Sequence, residues 1–289
     1  MLALSLFPGI GLLDSAFEAE GFCVVRGPDV IWGGDIRRFH PPAGKFDGVI
    51  GGPPCQTFSA LSHLVRANGY EPKFGNLIPE FERCVTEAAA DWFLMENVPQ
   101  APEPVVADYG TKSFLLDNSA LLGEGGFGLE QRRVRRFTFG LRGRPAPNLL
   151  RWIDMAVFLL PDATMPTVTS TDGGETPREK HRRQAVLSDP SAVPVKIGGS
   201  GNVKRTVIGG GTLTPGAELK RTGERTKDTA RNSRRYRLAD ACRLQGLPDD
   251  FLADAPFTAD GKLKAVANGV PIPMGRAIAK AILEALRSE

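Results

Sequence analysis

Cys55 is the residue of this sequence whose surroundings best suit covalent chemistry. It ends the run Gly51-Gly52-Pro53-Pro54-Cys55, directly after a short apolar segment. The thiol is therefore expected just beyond the carboxyl end of a buried strand, where parallel sheets bind their ligands. The two prolines restrict the backbone that leads to it. A thiolate in such a loop is a candidate nucleophile, whereas a buried structural cysteine would not need two preceding prolines.

Three further groups are candidates for the same site. Glu96 ends an apolar stretch before Asn97-Val98, and a carboxyl group at a sheet edge can act as an acid or as a hydrogen-bond partner. Arg133 and Arg135 alternate as in a strand, which predicts that both guanidinium groups point to one face. The planar guanidinium group of arginine presents several N–H donors that can bind carbonyl, carboxylate or phosphate oxygens. Taken singly, these segments fit a surface turn and a solvated edge strand equally well.

A glycine turn, Phe7-Pro8-Gly9-Ile10-Gly11, joins the first apolar run of the chain to an amphipathic stretch. Glycines here would let a nucleotide-type cofactor approach the backbone closely. A simple strand-to-helix turn explains the same residues, so the turn alone does not decide between the two.

The elements that must position these groups alternate between strand and helix. This order predicts an α/β fold with a parallel, doubly wound sheet. Strands are expected at 2–7, 22–25, 48–50 and 92–95, and helices at 12–19, 79–90 and 274–286.

The amino-acid composition of the sequence changes after Gly140. Residues 142–237 hold eleven glycines and only three aromatic residues, and they carry 18 Lys and Arg against 9 Asp and Glu. The remainder carries 18 against 24. A small, loop-rich basic lobe on an acidic body is typical of nucleic-acid binding, because phosphate neutralisation supplies most sequence-independent affinity. A solvated basic surface explains the charge equally well.

Four cysteines, far apart and without CxxC spacing, indicate neither a metal site nor a disulfide framework. No apolar run reaches eighteen residues, and the amino terminus has no secretory leader pattern. A soluble, cytoplasmic protein is expected.

Taken in order, these segments resemble the motifs of the DNA (cytosine-5) methyltransferases of the bacterial or phage type. Two later segments add to the resemblance: the run Arg237 to Pro248, and Asn268-Gly269-Val270-Pro271. The resemblance spans nearly the whole chain except residues 142 to about 232, where the family has its variable target-recognition domain. It implies a Rossmann-like methyltransferase sheet with a small recognition lobe. The expected division is 1–143 and 233–289 for the catalytic domain and 144–232 for the lobe.

The resemblance also implies roles for individual residues. Cys55 would add to C6 of a flipped-out cytosine, with Glu96, Arg133 and Arg135 as the other catalytic residues. S-adenosylmethionine would be the methyl donor, S-adenosylhomocysteine the product, and no metal would be required. The implied cofactor contacts are Phe7, Gly9, Gly11, Asp29, Asp35, Ile36, Pro54, Leu77, Asn268 and Val270, with Asp29 as the nearest ribose-binding acid although Pro28 aligns better with the family's acid.

Double-stranded DNA is the partner that the resemblance implies, and no membrane is expected. The compact length favours a restriction-modification enzyme, with a cognate endonuclease acting on the same site, or a solitary or phage enzyme. Three rival interpretations remain open. These are a tRNA cytosine methyltransferase of the same fold, a DNA-binding regulator built on an inactive enzyme, and a nucleotide-dependent oxidoreductase.

Overall fold

The computed structural model describes residues 1–54, 75–122, 131–155, 204–205 and 238–288. Within them, a six-stranded sheet forms the centre of the fold. Its strands, in chain order, are β1 (Leu2–Leu6), β2 (Cys23–Arg26), β3 (Gly48–Gly51), β4 (Trp92–Asn97), β5 (Tyr109–Asp117) and β7 (Val134–Arg142), while β6 (Gln131–Arg132) pairs with β8 (Lys204–Arg205) outside it.

The spatial order of the central sheet is β2-β1-β3-β4-β7-β5. The first four strands are parallel, as the sequence predicts, but β7 runs antiparallel to both β4 and β5. The sheet is therefore mixed rather than wholly parallel. Alternation of strands and helices fails as a guide here because the described residues between β5 and β7 form no α-helix, and their only helical turn is a short 3-10 turn at Asn118–Ala120.

Helices cover both faces of the sheet. Helix α1 (Leu12–Ala19) and the last helix, α5 (Ile272–Arg287), share one core with the strands. Helix α2 (Ile78–Ala88) closes the opposite face, where Phe81 packs edge-on against Phe93. The predicted helices therefore exist within one or two residues of their expected bounds, and the sheet is covered on both sides as in doubly wound folds.

The C-terminal segment forms a third cluster with α3 (Leu238–Leu244) and α4 (Ala259–Asn268). Thr258 begins α4, since its hydroxyl accepts a hydrogen bond from the Gly261 N–H at 3.1 Å. Helix α5 then returns to the sheet and packs along α1. Residues distant in sequence thus complete one core around β1.

Two glycines of the sheet make room for aromatic rings. Gly48 lies opposite Trp92 in the register of β3 and β4, and Gly140 lies opposite Phe93 between β7 and β4. A methyl group on either glycine would stand within 2.2 Å of the facing ring. Both rings are therefore fully buried against backbone, which fixes β4 in its register.

No helix in the described part of the chain combines the length and hydropathy needed to cross a membrane.

Candidate active site

The turn after β1 adopts a conformation that only its sequence permits easily. Gly9 and Gly11 have φ angles of 58° and 80°, and Phe7, with φ 57°, also lies in the left-handed region. The Gly11 N–H donates to the Pro8 carbonyl at 2.8 Å, and α1 begins at the next residue. Because Gly9 has open space where a Cβ would lie, a ligand could approach the backbone of the turn closely at this position.

A pocket opens beside this turn, at the carboxyl ends of β1, β2 and β3. Six of the ten predicted cofactor contacts line it. These are Phe7, Asp29, Asp35, Ile36, Pro54 and Leu77, and the remaining lining residues are Pro28, Val30, Gly34, Arg37 and Gly75.

Asp29 is held in a fixed orientation at the edge of this pocket. Its Oδ2 accepts a hydrogen bond from the Gly9 N–H at 2.9 Å, and its Oδ1 accepts one from the Ile31 N–H at 2.9 Å. Each carboxylate oxygen has a second lone pair, so Asp29 can still accept from a ligand hydroxyl. Pro28, the alternative position for the family's acid, lines the same pocket but offers no carboxylate.

Asp35 forms a bidentate pair with its neighbour Arg37. The closest contacts join the Asp35 Oδ1 to the Arg37 Nε and the Asp35 Oδ2 to the Arg37 Nη2, each at 2.9 Å. These hydrogen bonds keep the pKa of Asp35 below its ordinary value. Asp35 is therefore a fixed carboxylate acceptor in the pocket, oriented by an arginine that the sequence analysis did not single out.

Glu96 and Arg135 form the second half of the site. The Arg135 Nε lies 2.8 Å from the Glu96 Oε1, and the two side chains are 17% and 12% exposed. Glu96 lies near the end of β4 opposite Phe137 of β7, two residues from Arg135 on the same strand face. Gly52 lies against this carboxylate, since a Cβ there would be 3.0 Å from the Glu96 Oε2.

Asn97 connects the end of β4 to the proline run. Its side chain is buried and donates from Nδ2 to the Pro53 carbonyl at 3.2 Å, while its Oδ1 accepts from the Val98 N–H at 2.8 Å. Cys55 lies outside the described residues. The chain that leads to it is nevertheless placed between Glu96 and the pocket, because Gly52 contacts Glu96 and Pro54 lines the pocket.

Among the described contacts, Arg133 and Arg135 have different partners, although strand alternation predicts that both guanidinium groups point to one face. The strand pairing breaks at Arg133, whose N–H donates to the Asp117 Oδ1 at 2.9 Å. Its side chain is buried, and its Nη2 donates to the Gly269 carbonyl at 3.0 Å. The two guanidinium groups therefore have different partners: one contacts Glu96, and the other contacts the segment before α5.

Hydrogen bonds to the Gly269 carbonyl connect three segments of the chain that are separate in sequence. It accepts hydrogen bonds from Arg133 and, at 3.3 Å, from the Nε2 of the buried Gln245. Asn268 is exposed and Val270 is buried in the core shared by α1 and α5, and neither lines the pocket described above. These two predicted cofactor contacts lie instead near the N-terminal end of α1, where Gly269 packs against Leu12.

Comparison with known proteins agrees with the resemblance drawn from the motifs. Residues 31–104 match the profile of the C-5 cytosine-specific DNA methylases. The type II methyltransferase M.FnuDI of Fusobacterium nucleatum is 27% identical, over 99% of this chain and 95% of its own length. M.MthTI of Methanothermobacter thermautotrophicus is 26% identical, over 96% of both chains.

Over almost its whole length the chain is similar to type II methyltransferases, and this similarity supports DNA cytosine-5 methyltransferase activity.

Solved structures confirm the fold of this methyltransferase. The Schizosaccharomyces pombe Dnmt2 methyltransferase superposes with a TM-score of 0.55 at 12% identity, covering 100% of this chain and 99% of its own. A DNA modification methyltransferase encoded within an Escherichia coli prophage gives 0.52 at 19% identity, with 99% of each chain covered. The Rossmann-like methyltransferase architecture expected from the sequence is thus confirmed.

Trp32 is the residue near the site that the sequence analysis missed most clearly. Its indole Nε1 donates to the Gly9 carbonyl at 2.8 Å, although the side chain is 62% exposed. Its only sequence signal is a lone tryptophan just before Gly33-Gly34 and three residues after Asp29.

Proposed function

We propose that this methyltransferase transfers a methyl group from S-adenosylmethionine to C5 of a flipped-out cytosine in double-stranded DNA, through a covalent bond between Cys55 and C6. One observation carries the proposal. The segment Gly52 to Pro54, which leads directly to Cys55, lies between the Glu96–Arg135 pair and the pocket beside the glycine turn. The chain that leads to the proposed nucleophile, the proposed acid and the pocket thus lie at one edge of the sheet.

The chemistry of the pocket suits an adenosyl cofactor. Phe7, Ile36 and Leu77 offer apolar surface for a flat heteroaromatic ring, and the carboxylates of Asp29 and Asp35 accept hydrogen bonds from hydroxyl and amino groups. The glycine turn leaves room for the backbone to approach the ligand. When bound, the cofactor supplies an electrophilic methyl group on a positively charged sulfur.

The protein must activate the cytosine, because C5 of the free base is too weak a nucleophile to attack the methyl group of the cofactor directly. The Cys55 thiolate forms a bond to C6, and the electron pair of the C5–C6 double bond moves toward C5. Glu96 binds N3 and the exocyclic amine, and so stabilises the ring as charge develops on it. After C5 has been methylated, loss of the C5 proton returns an electron pair to the ring and expels the Cys55 thiolate.

Arg135 orients the acid in this scheme. Its Nε binds Glu96, and its Nη1 donates to the Val134 carbonyl at 2.9 Å. Within the described part of the chain, Nη2 is then the donor best placed to bind the carbonyl oxygen of the base. Arg133 acts indirectly, because its contact with Gly269 fixes the junction before β7 that presents Arg135.

Flipping of the base follows from the chemistry, since C6 cannot be reached inside a stacked duplex. We propose residues 57 to about 74 as the loop that covers the flipped base, and these residues lie outside the described part of the chain. Residues 144–232 are proposed as the target-recognition lobe, and they too lie almost entirely outside them. The type II methyltransferase names of the relatives support a role in restriction-modification. A nuclease that cuts the same site is part of this proposal.

The decisive experiment supplies tritiated S-adenosylmethionine with unmethylated DNA, or with tRNA in parallel, and identifies the labelled nucleoside. Label in 5-methylcytosine of DNA is the expected result. Label only in tRNA would show that the chain is a tRNA cytosine methyltransferase. Absence of label from both, with cofactor binding intact, would favour the inactive regulator.

The covalent step has its own test. DNA carrying 5-fluorocytosine cannot lose its C5 substituent as a proton, so the bond to Cys55 should persist. We expect a complex stable to denaturing electrophoresis with the wild-type protein and none with Cys55→Ser. A stable complex with the variant would exclude Cys55 as the nucleophile.

A further inference from the structure

The turn formed by residues 29–32 makes hydrogen bonds to both backbone polar groups of Gly9, its N–H and its carbonyl oxygen. The Asp29 carboxylate accepts the Gly9 N–H at 2.9 Å, and the Trp32 indole donates to the Gly9 carbonyl at 2.8 Å. Gly9 has a φ of 58° and no side chain to restrict it. The conformation of the glycine turn is therefore set largely by a segment that follows β2.

Trp32 stands at the rim of the cofactor pocket. Its neighbour Val30, in the same three-residue 3-10 turn, lines the pocket directly. The indole is 62% exposed, yet its ring meets Phe257 of the C-terminal segment with centroids 5.9 Å apart. Although the ring is largely exposed, the polar group of the indole has a specific partner, the Gly9 carbonyl.

We propose that Trp32 is a positioning residue for the cofactor: its indole N–H fixes the Gly9 carbonyl and so keeps the glycine turn preformed for the ligand. The inference rests on the proposed use of S-adenosylmethionine. A preformed site binds more tightly because the ligand does not have to order it. The contact with Phe257 extends this support to the C-terminal segment, so cofactor binding and the position of residues 251–257 are linked.

The test compares Trp32→Phe with the wild-type protein in binding S-adenosylhomocysteine, measured by calorimetry. Phenylalanine keeps an aromatic ring facing Phe257 but has no N–H. Loss of one hydrogen bond to a backbone carbonyl predicts affinity about threefold to tenfold weaker. In turnover, the KM for S-adenosylmethionine should rise by a similar factor while the KM for DNA stays unchanged.

Ile31→Ala provides the matched control. Ile31 belongs to the same 3-10 turn and is 46% exposed, but it does not line the pocket, and its N–H is kept in the variant. Its affinity for S-adenosylhomocysteine should equal that of the wild-type protein. An equal weakening in Ile31→Ala would show general loosening of the turn and would overturn the role of the indole N–H.

Intrinsic fluorescence gives an independent readout, because Trp32 is highly exposed, whereas Trp92 is buried and Trp152 is partly buried. Titration with S-adenosylhomocysteine should change the emission of the wild-type protein, and Trp32→Phe should abolish most of that change.

Phe257→Leu, which keeps the indole N–H but weakens the ring contact, should lower affinity by a smaller factor than Trp32→Phe.

Wild-type affinity in Trp32→Phe, with circular dichroism showing the native fold, would overturn the inference while leaving the proposed function intact. Failure of the wild-type protein itself to bind S-adenosylhomocysteine would instead refute the proposed cofactor.

Discussion

Glu96 and Arg135 lie close enough to act as a unit, and they are only slightly exposed. Glu96→Gln preserves the size of the side chain but removes both its charge and its acidity. We expect the rate of methyl transfer in a single turnover to fall about 10²- to 10⁴-fold, the range of a lost acid-base group, with unchanged affinity for S-adenosylhomocysteine.

Glu103→Gln is the control for this substitution, because Glu103 is 53% exposed and its ion pair in the described part of the chain is a long one, with Arg136 at 4.0 Å. It should transfer methyl groups at the wild-type rate. A Glu96→Gln enzyme that is as fast as this control would remove Glu96 from the mechanism.

Asp14 is a buried carboxyl group beneath the glycine turn. The Ser5 hydroxyl donates to its Oδ1 at 2.5 Å, and the Arg26 Nε donates to its Oδ2 at 2.9 Å. Burial nevertheless raises the pKa of Asp14 above its ordinary value of 3.8. The folded state thus binds the proton more tightly than the unfolded state, so Asp14 contributes most to stability at low pH and progressively less as pH rises through its folded pKa.

Asp14→Asn removes this titration while keeping a similar shape. The free energy of unfolding of the wild-type protein, relative to the variant, should therefore decrease as pH rises from about 4 to about 7. Urea unfolding of both proteins at several pH values measures this difference. A difference that stays constant, or that grows with pH, would contradict the assigned direction of the shift.

Sequence motifs predicted the individual site residues unevenly. Phe7, Asp35, Leu77 and three others line one pocket. Phe7 and Pro54 follow β1 and β3, whose carboxyl ends are adjacent in the parallel sheet, whereas Leu77 precedes the first residue of α2. The partner of Arg133 was not predictable, since Gly269 lies 136 residues away in sequence. Trp32 was missed for a similar reason: its partner is a backbone carbonyl, which leaves no pattern of side chains.

At the scale of elements, strand and helix positions followed from hydrophobic periodicity, but strand direction did not. Strands β1 to β4 are parallel because each is followed by enough chain to cross back over the sheet. Strand β5 went unpredicted, since its Tyr109–Asp117 sequence begins with exposed or partly exposed residues at the sheet edge. Its pairing with β7 could be known only from the structure.

The contact between α1 and α5 depends on a small residue in each helix. A Cβ added at Gly275 would lie 2.6 Å from the Cβ of Ala16, closer than any ordinary contact. Gly275→Ala should therefore force the helices apart, at a cost of about 1–3 kcal/mol in the free energy of unfolding. Chemical denaturation measures this loss directly.

The double variant Ala16→Gly with Gly275→Ala separates crowding from helix propensity. It restores the space between the helices, and so it should recover part of the stability lost in Gly275→Ala. If the double variant is destabilised by the simple sum of both changes, the two sites are not in the contact described.

For the whole molecule, the uneven distribution of charge has a measurable consequence. Residues 142–237 carry twice as many basic as acidic residues, whereas the rest of the chain is acidic. The sheet and its helices would therefore repel DNA, and the proposed recognition lobe must supply most of the phosphate contacts. Each phosphate contact releases counterions, so affinity should fall steeply with salt concentration.

Arg205→Ala and Arg221→Ala test this at single positions in the lobe. If each arginine contacts a phosphate, its removal should weaken DNA binding on all sequences and should reduce the slope of log affinity against log salt by about 1. Arg276→Ala is the matched control, because Arg276 pairs with Glu20, the residue that follows α1, within the acidic part of the chain. Fluorescence anisotropy with labelled DNA at several salt concentrations gives both quantities, and an unchanged slope in the two lobe variants would place DNA binding elsewhere on the molecule.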